Sequence, residues 1–254
     1  MYHSILTRPL RIAMIMAAGY GTRMNGLTDD LPKPLLPLNA DLCILDVVLH
    51  KLARSGIERV VVNAHHHAEL LEAHLGRGER YGLELILSPE PELLGSGGGI
   101  ANAEKHFNDE TILVVNADTL CDINLGLFFR DHRQHDALAT MNVIPSRNTR
   151  DYSLCTFDDQ FRLTGFLPRD VEIPEGQLTG IFTGHQILSP EARRYLRPQH
   201  QSVIQRFYSP ALKEGRYIRT APFDGEWIDV GTRDFYESLV RRIAAGEVDL
   251  NRFM

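Results

Sequence analysis

The strongest constraint on this 254-residue chain is a series of short runs that are apolar at nearly every position. They are Ile12-Ala13-Met14-Ile15-Met16-Ala17, Arg59-Val60-Val61-Val62-Asn63, Leu83 to Leu87, and Thr111-Ile112-Leu113-Val114-Val115. A strand with one wet face alternates apolar and polar residues. A run with little alternation is covered on both faces, as happens when helices pack on either side of a parallel sheet. Helical spacing fills the intervals. Leu45, Val48, Leu49 and Leu52 recur at that spacing and stop at Gly56. His66 to Leu75 puts Leu70, Leu71 and Leu75 inward and ends near Gly76 and Gly78, and Gly98 to Phe107 has the third helical pattern. Strand and helix in this rhythm require crossover connections, so the pattern predicts an α/β fold, a Rossmann-like domain with a mainly parallel mixed central sheet flanked by helices.

The second half is less regular. Ala137 to Val143, Ser153 to Phe157, Arg162 to Phe166, Leu178 to Phe182, Tyr217 to Thr220 and Glu226 to Val230 are expected strands. A last helix follows Thr232 as N-cap, with Phe235, Leu239 and Ile243 as its apolar stripe. No repeat or long linker divides the chain. The expected organisation is a tail over 1–10 and one domain over 11–254, with a change of character near 136/137.

Composition removes several function classes. A hydrophobic fraction of 43% with 24% charged residues belongs to a globular protein. A net charge of −6 disfavours nucleic acid or an anionic membrane as partner. Cys43, Cys121 and Cys155 are odd in number and far apart, with no zinc spacing, which predicts reduced thiols and a cytoplasmic protein. Arg8, Arg11 and the run Ile12 to Ala18 imitate a short secretory signal, but a glycine-rich, charged segment follows at once, as it does after a buried strand. No apolar run approaches the roughly 20 residues of a membrane span.

In an open parallel sheet, ligands bind beyond the carboxyl ends of the strands. The first of those ends reads Ala17-Ala18-Gly19-Tyr20-Gly21-Thr22-Arg23. Its glycines let backbone N–H groups approach an anion closely. Met24 stands where a dinucleotide fingerprint has its third glycine, and no Gly-Lys-Ser/Thr follows, so neither common phosphate-loop motif is present. Arg23 beside the loop and Lys33 between Pro32 and Pro34 supply rigidly presented cations, which suits a triphosphate; the alternative is a tight turn with two surface cations. Leu94-Gly95-Ser96-Gly97-Gly98-Gly99 opens a helix, either as a second ligand-facing segment or as a flexible loop. Asp118 and Asp229 stand at strand ends, where two carboxylates can share a hard divalent cation, or each can simply cap a turn. His65, His66 and His67 are adjacent at a strand-to-helix junction and cannot all face one ion.

The run Met16 to Thr28, followed by Pro32-Lys33-Pro34-Leu35, resembles the signature of the sugar-1-phosphate nucleotidylyltransferases over nearly the whole chain. Gly26 departs from the family's usual proline. Ser88-Pro89-Glu90 resembles the N-acetylmuramate-1-phosphate uridylyltransferase and mannose- or heptose-1-phosphate guanylyltransferase branches, and the glutamine that thymidylyltransferases carry near Ser88 is absent. The resemblance implies a GT-A-like nucleotidyltransferase domain, with 11–136 holding the nucleotide and 137–254 the sugar phosphate. It implies Mg²⁺-dependent transfer of a nucleoside monophosphate from UTP or GTP to a sugar 1-phosphate, with pyrophosphate released, by a monomer or small homo-oligomer.

Residue by residue, the resemblance gives Arg23 and Lys33 catalytic roles and gives Ala17, Ala18, Gly19, Gly21, Thr22, Ser88, Ser96, Gly97 and Gly98 to the nucleotide. Asn116 and Gly180 go to the sugar phosphate, and Asp118 and Asp229, the latter in Trp227-Ile228-Asp229-Val230-Gly231-Thr232, to Mg²⁺. The family's Glu-Lys-Pro lysine is missing at Phe166-Leu167-Pro168, where Arg169 is the candidate replacement and Arg147 and Arg150 are further cations. Three other readings compete. An NAD-linked oxidoreductase lacks its glycine pattern here. An inactive nucleotide-sugar sensor should have lost Arg23, Lys33, Asp118 or Asp229. An acceptor such as phosphocholine is chemically close.

Overall fold

The computed structural model describes residues 9–254. Most of the expected tail, 1–10, and Arg8 of the signal-like run lie outside the described residues. In chain order the first half holds β1 (Ile12–Met16), α1 (Ile44–Arg54), β2 (Arg59–Ala64), α2 (Ala68–Leu75), β3 (Glu84–Pro89), α3 (Gly95–Asn102), β4 (Ile112–Asn116), β5 (Thr119–Cys121) and α4 (Leu125–Gln134). The second half holds β6 (Ala139–Pro145), β7 (Leu154–Phe157), β8 (Leu163–Leu167), β9 (Leu178–Leu188), α5 (Pro190–Arg193), α6 (Ser209–Lys213), β10 (Ile218–Pro222), β11 (Trp227–Asp229) and α7 (Arg233–Ala244).

The main sheet runs β10-β6-β9-β4-β1-β2-β3, with β7 and β8 attached through β9. Strands β4, β1, β2 and β3 are parallel, with Ile12 level with Ile112 and Arg59. Beyond β4, strand β9 is antiparallel to both β4 and β6, while β10 is parallel to β6. The expected α/β fold thus forms, parallel in its first half and mixed overall. Both faces of the parallel part are buried, as the unalternating runs require: Ala13, Ile15, Val60, Val62, Leu113 and Val115 join one core, and Ile12, Met14, Val61, Ile112 and Val114 the other. No helix of the described residues is long and apolar enough to cross a membrane.

Several elements differ from expectation for identifiable reasons. Helix α2 begins at Ala68 rather than His66, because His67 sits at φ 53°, in the left-handed region. Helix α3 spans Gly95–Asn102, and a separate 3-10 turn, Glu104–His106, covers what the sequence presents as its continuation. Strand β9 continues to Leu188, past the expected end at Phe182, because Thr183, His185 and Gln186 are polar yet buried. Thr232 does cap α7, but Phe235 is 63% exposed and does not belong to the apolar stripe, which Tyr236 and Leu239 provide. Leu239 and Ile243 keep the face the sequence suggested, and only its first position moves, by one residue, from Phe235 to Tyr236.

Candidate active site

The chain runs from β1 to β2 and β3 on one side and returns to β4 on the other, so the carboxyl ends of β1 and β4 flank a reversal in strand order, where open α/β sheets hold ligands. A cleft of about 220 Å³ lies there. Ala17, Gly19, Gly21, Thr22, Arg23, Lys33 and Asp118 all line it, together with Met16, Pro34, Ala117 and Gly231. Residues from separated segments of the chain thus meet in one cavity.

The glycine loop is built for close approach. Gly21 adopts φ 65°, and a Cβ there would lie 3.0 Å from the Thr28 methyl group. The Thr28 hydroxyl donates to the Gly21 carbonyl at 3.2 Å. The Met24 N–H donates to the same carbonyl at 2.8 Å and closes the 3-10 turn Thr22–Met24. Met24 itself is fully buried, so the position of a dinucleotide fingerprint's third glycine serves here as core. Gly26 adopts φ 85°, a conformation closed to proline, which is fixed near −65°; the departure at this position is thus a change of backbone path.

The charges converge on the other wall. Lys33 follows Pro32, and its side chain is 8% exposed. Its ammonium donates to Asp118 Oδ2 at 2.6 Å. Asp118 follows β4, and Asp229 ends β11. These positions adjoin because β5 and β11 form their own antiparallel pair, with Asp229 opposite Thr119 and the Val230 N–H donating to the Asp118 carbonyl at 3.0 Å. Arg252, in the C-terminal 3-10 turn Leu250–Phe253, clasps the far end of this pair: it donates to Asp122 and Glu226 at 2.8 Å each. Gly231 lies between Asp229 and Arg23, since a Cβ on it would stand 3.1 Å from the Asp229 Oδ1 and 3.4 Å from an Arg23 guanidinium nitrogen.

Burial raises the Asp229 carboxyl above its usual range, and the neighbouring Asp118 charge raises it further, against the pull of Lys33 and Arg23. The charged form of Asp229 is therefore disfavoured, chiefly by burial, even beside two cations. Two hard oxygen donors in that condition fit a divalent cation such as Mg²⁺.

The remaining sequence-derived residues lie off this cleft. Ser88 is buried and its hydroxyl oxygen accepts from the Asn102 amide at 3.1 Å. The Ser96 hydroxyl oxygen accepts from the Val203 N–H at 3.0 Å. Both hydroxyls keep a proton to donate elsewhere. Gly97 and Gly98 press against the Gln199–Val203 segment, where a Cβ on Gly98 would meet the Gln199 carbonyl oxygen at 2.1 Å, so their missing side chains serve packing. Ala18 is buried beside the loop. The Asn116 amide rests on Gly184, φ 85°, at an irregularity in the β6–β9 pairing. Gly180 stands in β9 level with Pro145 and Cys155. Arg169 and Arg23 both act on the Tyr152 phenol, lowering its pKa, whereas burial, Asp229 and Asp151 raise it by more. Tyr152 packs edge-on against Trp227 at 5.7 Å, so this aromatic pair stands beside the acidic one. Sequence reasoning passed over Tyr152; its only signal was a lone aromatic after the arginine-rich segment near 150.

Two members of the histidine run, His65 and His67, are engaged within the fold. Tyr20 donates to His65 Nε2 at 2.9 Å, and His67 donates to the Asp29 carbonyl at 2.9 Å. Among the described residues another ligand-like group, Cys43, Asp46 and His74, faces inward together. The Arg80 guanidinium already lies 2.8 Å from both Asp46 and His74. Burial works against the Asp46 charge, yet bonds from His74, the Cys43 amide and Tyr81 prevail and hold the carboxyl well below its usual range. This cluster carries its own cation and ties α1 to α2. All three cysteine thiols are buried, and burial pushes each up to about 12, far from nucleophilic.

A family model described as nucleotidyl transferase matches residues 12–245. The chain belongs to the nucleotidyl transferase family. It is 28% identical over 250 residues to the UTP–glucose-1-phosphate uridylyltransferase of Synechocystis sp., covering 93% of this chain and 64% of that protein. It is 32% identical over 240 residues to the mannose-1-phosphate guanylyltransferase of Mycobacterium tuberculosis, covering 91% and 65%. The chain thus spans less than two thirds of the length of these relatives. Among solved structures, HddC from Yersinia pseudotuberculosis complexed with GMP-PN superposes with a TM-score of 0.76 at 22% identity, over 92% of this chain and 100% of that one. That likeness shows a shared fold.

Proposed function

We propose that this protein transfers the nucleoside monophosphate of UTP or GTP to a sugar 1-phosphate and releases pyrophosphate. The observation that carries the reading is the buried Lys33 ammonium, bonded to Asp118 at 2.6 Å in the cleft that the glycine loop also lines. A cation fixed beside a backbone cradle, with a second aspartate at the neighbouring strand end, is machinery for handling polyphosphate. The names of the curated relatives, which specify uridylyl and guanylyl transfer to sugar 1-phosphates, support the same reading.

The acceptor phosphate is anionic at pH 7 and attacks the α-phosphorus in line, so no residue has to remove a proton. The work is to hold two mutually repelling anions in contact and to neutralise the leaving pyrophosphate. The backbone of Ala17, Ala18, Gly19, Gly21 and Thr22 cradles the triphosphate, with Arg23 on the departing pyrophosphate. Lys33 exchanges its Asp118 partner for oxygens of the α-phosphate and the incoming phosphate. Asp118 and Asp229 would hold Mg²⁺, which when bound supplies further charge neutralisation at phosphorus. In this reading Ser88, Ser96 and the Gly97-Gly98 backbone serve the base, and Asn116, Gly180 and Arg169, with the Tyr152–Trp227 pair, serve the sugar. The enzyme works in the cytoplasm, where triphosphates are abundant and buried thiols stay reduced.

A matrix of nucleoside triphosphates against sugar 1-phosphates, read by pyrophosphate release with Mg²⁺ and with EDTA, tests the reading. Release with at least one UTP or GTP pairing, abolished by EDTA and restored by Mg²⁺, is expected. Release with phosphocholine alone, or none with any pairing, overturns it.

A further inference from the structure

Beneath the glycine loop lies a buried polar relay that the transfer reaction does not account for. The Ala17 N–H donates to Asn63 Oδ1 at 2.7 Å. The Asn63 amide nitrogen donates to Glu90 Oε1 at 2.6 Å. Glu90 Oε2 accepts the Leu94 N–H at 2.9 Å. Asn63 is 1% exposed and Glu90 3%, and each Glu90 oxygen is met by a neutral donor. Gly99 makes the room, since a Cβ there would lie 2.6 Å from Glu90 Oε1 and 2.7 Å from the Asn63 amide nitrogen. Beyond Leu94 the connection continues: the Leu94 carbonyl accepts from Gln201, and the Gln201 carbonyl accepts from Gly97, both at 2.9 Å. A second tie runs alongside, from Tyr20 to His65 Nε2 and from His65 Nδ1 to the Glu90 carbonyl at 2.8 Å.

The polarity of this relay is forced. Backbone donors, Ala17 N–H and Leu94 N–H, close it at both ends. An amide passes a hydrogen bond on, accepting on one side and donating on the other. Two amides in series would therefore leave two donors facing each other at one junction. One member has to accept on both sides, and only a carboxylate does that without a proton. A buried charge is thus retained for its hydrogen-bonding pattern.

We propose that Glu90, acting through Asn63, is a positioning residue for the nucleotide: the pair fixes the Ala17 amide against the Leu94–Gly97 segment, and what this requires is one acceptor-only group at either position. The proposal rests on the reading that the Ala17–Arg23 loop binds a triphosphate. Three variants test it: Glu90→Gln, Asn63→Asp, and the two together. The double variant moves the carboxylate one place along. The carboxylate, now at position 63, would accept from Ala17 and from the new amide at position 90, whose oxygen would accept from Leu94.

Glu90→Gln should weaken UTP or GTP binding, and raise the KM for that nucleotide, by at least about tenfold, the effect of one mismatched buried donor pair. The KM for the sugar phosphate should stay within about twofold, far below the cost of losing a direct contact. Asn63→Asp sets two carboxylates 2.6 Å apart, so its nucleotide affinity should improve as pH falls and one carboxyl takes a proton. The double variant should recover most of both affinity and melting temperature. Glu90→Gln binding nucleotide like the wild type, or a double variant no better than its worse parent, overturns the proposal. A wild type that binds no triphosphate overturns the functional reading and the positioning role together. Melting temperatures read the polarity rule separately, because low singles with a restored double need no ligand.

Discussion

From β3 to β4 the sheet is parallel, apolar on both faces except for the buried Asn63 and Ser88 near its strand ends, and edged with glycine, lysine and aspartate, whereas from β9 outward it is mixed and carries buried polar residues along the length of its strands. In the first region each strand's burial is written in its own residues, and the chemistry sits just past its end. In the second, Thr140, Asn142, Thr156, Thr183, His185 and Gln186 are buried on strands. They are tolerated because side chains of other elements satisfy them: Thr183 donates to Asn142 Oδ1 at 2.8 Å, Tyr208 to Gln186 at 2.7 Å, and His132 and Thr140 share a bond of 2.8 Å. Polar groups enter a core when they bring hydrogen-bond partners, and such partnerships are properties of the fold, not of a window of sequence.

The contrast can be broken or sharpened at several points. The largest effect is expected where the first region concentrates charge. Lys33→Ala and Asp118→Asn should each lower turnover by about 10²-fold or more, the scale of one preorganised charge partner, with folding retained. Near-normal pyrophosphate release in either variant removes that residue from the mechanism. In the second region the same kind of truncation should act on stability instead. Thr183→Val strands the Asn142 side-chain oxygen and should cost about 1–3 kcal/mol in denaturant unfolding with little change in turnover. A large loss of activity without loss of stability would erase the distinction drawn between the regions.

Acid adds a further test of stability. Burial pushes His132 and His185 down to about 4 from an ordinary 6.5. The unfolded chain takes up these protons below pH 6.5 and the folded chain does not until near 4. Stability is therefore fully present above pH 6.5 and declines as pH falls toward 4, by up to about 1.4 kcal/mol per unit for each group. Unfolding free energies that match at pH 7 and pH 4.5 would contradict this. The smallest effect belongs to Phe235→Ser, which should shift stability by no more than about 0.5 kcal/mol because the ring is on the surface. A substantial loss would mean that Phe235 is covered in solution.

How far the sequence speaks follows the same division. Glycine loop, Pro-Lys-Pro turn and both aspartates are legible because their chemistry lies in residue types at strand ends. Strand β5 was too short to announce itself, α5 and α6 are about one turn each, and α4 was passed over although Leu125, Phe128 and Phe129 recur at helical spacing. Phe235 misled because an aromatic at helical spacing looks like core, while Tyr236, whose hydroxyl donates to the Pro37 carbonyl at 2.7 Å, takes that place. Asn63 was visible only as the polar end of a strand, and Glu90 only within the Ser88-Pro89-Glu90 segment; nothing local reveals that they meet. The serines and glycines between Ser88 and Gly98 were read for a ligand, and the structure gives them protein neighbours as well.

The β5–β11 ribbon is fastened by Arg252 at the end away from the aspartates. Those acids are drawn from distant stretches of the polypeptide, yet they are riveted to the same small plank, so bending of the broad sheet leaves their spacing alone. Trimming the last handful of residues would leave every reactive group in place and still loosen the calliper that sets the gap between them.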